Sequence, residues 1–279
     1  MEEPMEIENL LERESPSLAL LRSMYDGYVD GFRGEDGELP PMMRLKRIHT
    51  GHVVANAVLI ADGEKFPPLV RETSLAAALL HDTGRYEQLR RFNTFRDSES
   101  VDHAVFSRDI VKEKGWLEKA GASRPDAVLA AVECHNRRDI PQGLDPVALA
   151  ASRAVRDADK LDIFRVLEEL ASDRDRHGDS TAFWNLPVDT QPNPAVVEAI
   201  EDGRPVDYQN IKSLSDFVLI QVGWMVSGLE YATSRAVCAS RGHVAFRRKF
   251  LHSLTDSPKI DEICDLAERN LGATRDAQI

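Results

Sequence analysis

The chain has 279 residues, 42% hydrophobic and 29% charged, the balance of a globular protein with enough apolar side chains for a large core. A formal net charge of -12 argues against a broad surface for duplex nucleic acid, while a small phosphorylated ligand needs only local positive charge. Cys134, Cys238 and Cys264 stand in no CxxC spacing, which argues against a disulfide framework and fits a reducing, cytoplasmic setting.

The opening "MEEPMEIENLLERES" is acidic and lacks the basic-then-apolar layout of a signal peptide. Apolar residues then recur at helical spacing, which predicts helices over roughly 16–31, 43–62, 71–82, 99–115, 123–137, 146–171, 208–237, 242–254 and 257–271. Alternating β-branched runs are few, so the expected fold is all-α. Residues 173–206, with Pro187, Pro192, Pro194 and Pro205, read as a long connection carrying one short helix near 194–201. It is expected either to close over a site as a lid or to cross the surface anchored by Trp184. The organisation expected is therefore a helical core over 1–172, this loop, and a helical C-terminal section over 207–279 packed on the core. The apolar helix within 208–237 is either core or a homodimer seam. Its most apolar part, "FVLIQVGWMV", is too short to span a bilayer, and no membrane partner is expected.

Four histidines fall on the apolar stripes of separate predicted helices. His49 aligns with Leu45, Val53, Ala57 and Ile60; His81 ends the run through Ala77; His103 aligns with Phe106 and Ile110; His135 follows Val128 and Ala131. Asp82 adjoins His81, and Asp159 lies in line with Val155, Ile163 and Val166. Any one such histidine reads as a core residue with a satisfied hydrogen bond, and "RDADKLD" with Asp157, Asp159 and Asp162 reads as a solvated acidic turn. Together, four inward imidazoles and two inward carboxylates leave many polar groups to satisfy. One or two divalent metals, Mn, Fe, Ni, Zn, Co or Mg, would satisfy them at once. His52 ranks behind His49. His177 and His243 are expected at the surface, and His252 has no assigned role.

The phrases "HTGHV" from His49, "LLHDTG" around His81-Asp82 and "ADKLD" around Asp159 resemble the HD superfamily of metal-dependent phosphohydrolases. The likeness covers roughly residues 44–165 and implies an HD-type helical bundle with a C-terminal helical extension. "HDTGRYEQ", "TFRDSESVDHA", "HNRRDIP" and "RDADKLDIF" look like a bacterial subgroup of it. The resemblance implies that His49, His81, Asp82 and Asp159 hold one metal. In members with two metals, His103 and His135 add the second and Asp82 bridges. Many relatives have lysine three residues after the aspartate; here Arg85 stands there, keeping the charge and adding a planar fork.

The expected chemistry is hydrolysis of a small phosphate ester, a nucleotide among the candidates, by water activated on the metal. Asp82 and Arg85 carry the catalytic role. Arg85, Gln88, Asn136, Arg137 and Lys160 are the expected substrate contacts, with Tyr86 a weaker candidate for the pocket wall and helix capping the other role open to Asn136. Arg90, Arg96 and Arg138 are expected at the surface. The alternatives are an HD-fold di-iron oxygenase, which would use the same ligand set, and a non-catalytic nucleotide-binding module.

Overall fold

Proline starts the long helices. In the computed structural model, which describes residues 10–177, 186–188 and 191–272 and not the side chains of 172–177, every regular element is helical. After α1 (Leu10–Glu14) come α2 (Pro16–Asp30), α3 (Pro41–Gly63) and α4 (Pro68–Leu80). Proline costs nothing at a first helical position, where the N–H has no partner anyway. Ser15 caps α2 by accepting from the Leu18 N–H at 3.2 Å.

The chain divides into two compact units, Met1–Asp162 and Ile163–Ile279. In the first, α4 is the central helix: every residue from Thr73 to Leu80 is buried. Burying leucines such as Leu75 and Leu80 contributes about 2 kcal/mol each. The helix predicted over 71–82 ends at Leu80; Thr83 N–H to Leu80 O and Arg85 N–H to Asp82 O, at 3.2 and 3.0 Å, tighten the next residues into a turn. α5 (Gly84–Phe92) follows, then a 3₁₀ turn, Asp97–Glu99.

α6 (His103–Lys114) begins four residues later than the predicted 99–115, because Asp102 caps it by accepting from the Ala104 and Val105 N–H groups at 3.0 and 3.2 Å. Gly84 lets α5 and α6 meet. A Cβ there would stand 2.7 Å from Ser107 N and 3.0 Å from His103 O, and the Gly84 N–H donates to Ser107 Oγ at 2.8 Å. α7 (Trp116–Ala120), α8 (Pro125–Cys134) and α9 (Pro146–His177) follow, the last capped by Asp145. The division between the units falls inside α9, which continues five residues into the segment read as loop. Trp184 and the rest of 178–185 lie outside the described residues, as do 189–190.

The second unit holds α10 (Pro194–Glu201), α11 (Leu214–Gly223), α12 (Ala232–Ser240), α13 (His243–Leu254) and α14 (Pro258–Gly272). The single helix predicted over 208–237 is a correction. Ser213 and Asp216 form a capping box that starts α11, a π turn at Trp224–Gly228 follows, and α12 restarts at Ala232. Leu214, Val218, Leu219, Ile220 and Val222 are buried within this unit, so these residues are core. His243 is a second correction. It is buried, with Nδ1 2.6 Å from Glu168 Oε1, and Arg247 donates to the same oxygen at 2.9 Å. Among the described residues no helix is long and apolar enough to cross a membrane.

Candidate metal centre

The first unit brings three helix ends and two helix middles to one place. His81 and Asp82 follow the end of α4, His103 opens α6, His135 follows the end of α8, and His49 and Asp159 project from α3 and α9. All are buried except Asp159, which is 16% exposed. The six residues named from the sequence thus form one cluster, arranged as two groups around one carboxylate.

In the first group, His49 Nε2 lies 3.4 Å from His81 Nε2, 3.1 Å from Asp159 Oδ1 and 3.6 Å from Asp82 Oδ2. His81 Nε2 lies 3.5 Å from Asp82 Oδ2 and 3.9 Å from Asp159 Oδ1. In the second, His103 Nε2 and His135 Nε2 are 3.0 Å apart and lie 3.6 and 3.7 Å from the other oxygen, Asp82 Oδ1. Donors about 2.1 Å from a shared ion stand roughly 3.0 to 4.2 Å apart, the range spanned here.

The far ring nitrogens decide what the near ones offer. His81 Nδ1 donates to Ala78 O at 2.8 Å and His135 Nδ1 to Val132 O at 2.7 Å. A carbonyl only accepts, so in the neutral rings both Nε2 atoms present lone pairs. His49 Nδ1 is 2.6 Å from Asp162 Oδ2, and His103 Nδ1 is 2.5 Å from Asp97 Oδ2. Carboxylate or carbonyl on one nitrogen, with the other turned to the site, is the arrangement of metal-ligating histidine. The lone pairs of His103 and His135 face each other, a repulsion that a cation between them would remove. The donor set fits one or two divalent transition metals.

Electrostatics agree. Burial, then the neighbouring His103 and His81 rings, push His135 down to about 3, and burial with Arg85 pushes His103 down, so both are neutral. Burial and Lys46 pull His49 down, but hydrogen bonds to Asp159 and Asp162 outweigh them and hold it up at about 9. Burial raises Asp82, yet Lys46, His81 and Arg85 hold it well below the usual carboxylate range; Asp159 is held down against its own burial by His49. Without a metal, the proton on His49 supplies part of the positive charge these carboxylates require.

The expected substrate residues are placed as follows. Arg85 Nε is buried without a hydrogen-bond partner, 3.5 Å from Asp82 Oδ1; its Nη1 donates to Gln88 Oε1, Phe95 O and Asp97 Oδ1. Gln88 is buried, and its amide donates to Asp97, Ser100 and Val101, which holds the turn before His103. Asn136 and Arg137 donate to the Asp102 carboxylate at 3.1 and 2.7 Å, tying the end of α8 to the cap of α6. Asn136 therefore does not cap its own helix, and its Oδ1 is left buried without a partner. Lys160 is half-buried, about 100° around α9 from Asp159. Tyr86 is core rather than pocket wall, its hydroxyl 2.9 Å from that of Tyr25. Arg90 and Arg138 are exposed, Arg96 is half-buried, and His52 stays outside the cluster.

Three residues were not singled out from the sequence. Asp162 is buried rather than a solvated turn; its signal was its place three residues after Asp159, on the same face. Asp97 carried no periodic signal, and Lys46, whose Nζ is 2.7 Å from Asp82 Oδ2, reads as one more surface lysine.

The model of the HD domain family matches residues 47–163, a span that includes all six clustered residues and Asp162. No curated protein and no solved structure shows significant similarity to the chain. Residues 47–163 of the chain therefore carry an HD domain.

Proposed function

We propose that this protein is a metal-dependent phosphohydrolase that cleaves a small phosphate ester, a nucleotide among the candidates. The observation that carries the reading is the Asp82 carboxylate, whose two oxygens face two separate groups of imidazole nitrogens. His49, His81, Asp82 and Asp159 would hold one cation and His103, His135 and Asp82 a second. When bound, a divalent cation lowers the pKa of the water it holds to about 7 and takes up charge developing on phosphoryl oxygens. The chain supplies the rest. Asp162, Asp97 and two backbone carbonyls fix the imidazoles, and Arg85 brings an uncommitted Nε–H beside the centre, where it can hold a non-bridging phosphate oxygen. That buried guanidinium favours phosphate over dioxygen as the species handled. We place the protein in the cytoplasm, where its three buried free thiols stay reduced.

The test is a screen of phosphomonoesters, dinucleotides and cyclic nucleotides with Mn, Ni, Zn and Mg. The expected outcome is metal-dependent hydrolysis, read as free phosphate from monoesters and as the monoester product from dinucleotides and cyclic nucleotides, that His81→Ala abolishes. Oxygen consumption by iron-loaded protein, without hydrolysis of any of these esters under any metal, would replace the proposal with an oxygenase. A melting temperature indifferent to every metal would leave a non-catalytic module.

A further inference from the structure

We infer that Lys46 is a substrate-positioning residue: with Arg85 it forms a two-cation clamp that grips the phosphoryl oxygens once metal has taken Asp82. The inference rests on the phosphohydrolase reading. Lys46 lies on α3 one turn before His49, and its ammonium donates to Asp82 Oδ2 at 2.7 Å, the oxygen that faces His49 and His81. Arg85 lies on α5, with Nε 3.5 Å from Asp82 Oδ1, the oxygen that faces His103 and His135. Each cation therefore flanks one of the two donor groups. Both lie over the same half-buried ring, with Lys46 Nζ 5.8 Å and Arg85 Cζ 5.5 Å from the centre of Phe95. The ring holds their stems to one side of the centre without using their donors.

Both cations have donors to spare. Lys46 makes a single hydrogen bond among the described residues, so two of its three N–H groups are uncommitted, and its side chain is 20% exposed. A divalent cation bound to Asp82 Oδ2 would share that oxygen with the ammonium, and like charges on one oxygen repel. Lys46 is the more flexible of the two and would leave first. An anion placed against both would relieve the repulsion. The docked Lys46 is thus the metal-free position of a group whose partner in the loaded protein is phosphate.

The test measures binding of inorganic phosphate to Mn-loaded protein by calorimetry, alongside Mn affinity. Lys46→Gln is expected to weaken phosphate about tenfold or more without weakening Mn, and Lys46→Arg to restore most of the loss. Unchanged phosphate affinity in Lys46→Gln would overturn the inference and leave the phosphohydrolase reading intact. Loss of Mn affinity in step with phosphate would also overturn it, making Lys46 a support for the metal ligands. A Mn-loaded wild type that binds no phosphate would remove the phosphohydrolase reading and this inference with it.

Discussion

Binding of a cation beside His49 must expel a proton. In the metal-free protein the His49 imidazole is held up at about 9, with Nε2 3.1 Å from Asp159 Oδ1 and Nδ1 2.6 Å from Asp162 Oδ2. The Nε2 proton occupies the position a metal needs, while the Nδ1 proton can stay with Asp162. Below about pH 9 each unit of acidification therefore costs a factor of about ten in apparent affinity. Between pH 7 and 8.5, Mn binding at this group should tighten about thirtyfold, roughly 2 kcal/mol, and then level off above pH 9. His135, pushed down to about 3, and His103, pushed below its ordinary value, hold no proton to release in that window. Calorimetry in buffers of different ionisation enthalpy counts the protons directly, and about one per His49-site metal is expected at pH 7.5. Flat affinity across the window with no proton released would refute the proton-for-metal exchange.

The same proton bears on folding. Because His49 is raised above its ordinary 6.5, it should add about 3 kcal/mol to the metal-free protein below pH 6.5, lost as pH rises through about 9. Urea unfolding at pH 6.5 and 9.5 checks this, and metal-loaded protein should show less of the loss. Asp162→Asn and Asp97→Asn should each weaken metal binding 10- to 100-fold with the ligands intact, as a chelator titration would show. Gly84→Ala would push its Cβ to 2.7 Å from Ser107 N, destabilise by about 1–3 kcal/mol and move His103 away from Asp82. Metal stoichiometry should then fall while the His49 group still binds. Asp102→Ala should cost about 1 kcal/mol for the lost cap, with further cost from the stranded Asn136 and Arg137, read as a lower melting temperature.

The clustered residues were legible because each histidine sat on a stripe of apolar neighbours, and a helix stripe has only one way to face in a small bundle. The stripe through Val155, Ile163 and Val166 favours Asp159 over Asp157, and it is Asp159 that lies beside His49, although Asp157 is more deeply buried. Their supports were less legible because their meaning depends on partners far away in the chain: Asp162 meets His49 across 113 positions and Lys46 meets Asp82 across 36. Helix starts were legible at Pro146 and Pro194, where a proline stood at the first turn, but the start of α6 was not, because its mark is the Asp102 cap. The break after Gly223 had no such mark, since the apolar run continues through a π turn. His243 follows a glycine, which reads as a surface turn; Gly242, at φ 71°, instead leads directly into a helix whose first two residues, His243 and Val244, are buried.

The two histidines that hook back to carbonyls three residues earlier each stand at the carboxyl end of a helix, α4 for His81 and α8 for His135. The peptide dipoles of both helices therefore turn their negative ends toward the cluster, partly offset by the positive end of α6, which opens at His103. That field belongs to the backbone, so no side-chain substitution deletes it. A variant stripped of one imidazole should still draw cations weakly, and tests of single ligands will understate how strongly the intact scaffold prefers positive charge there.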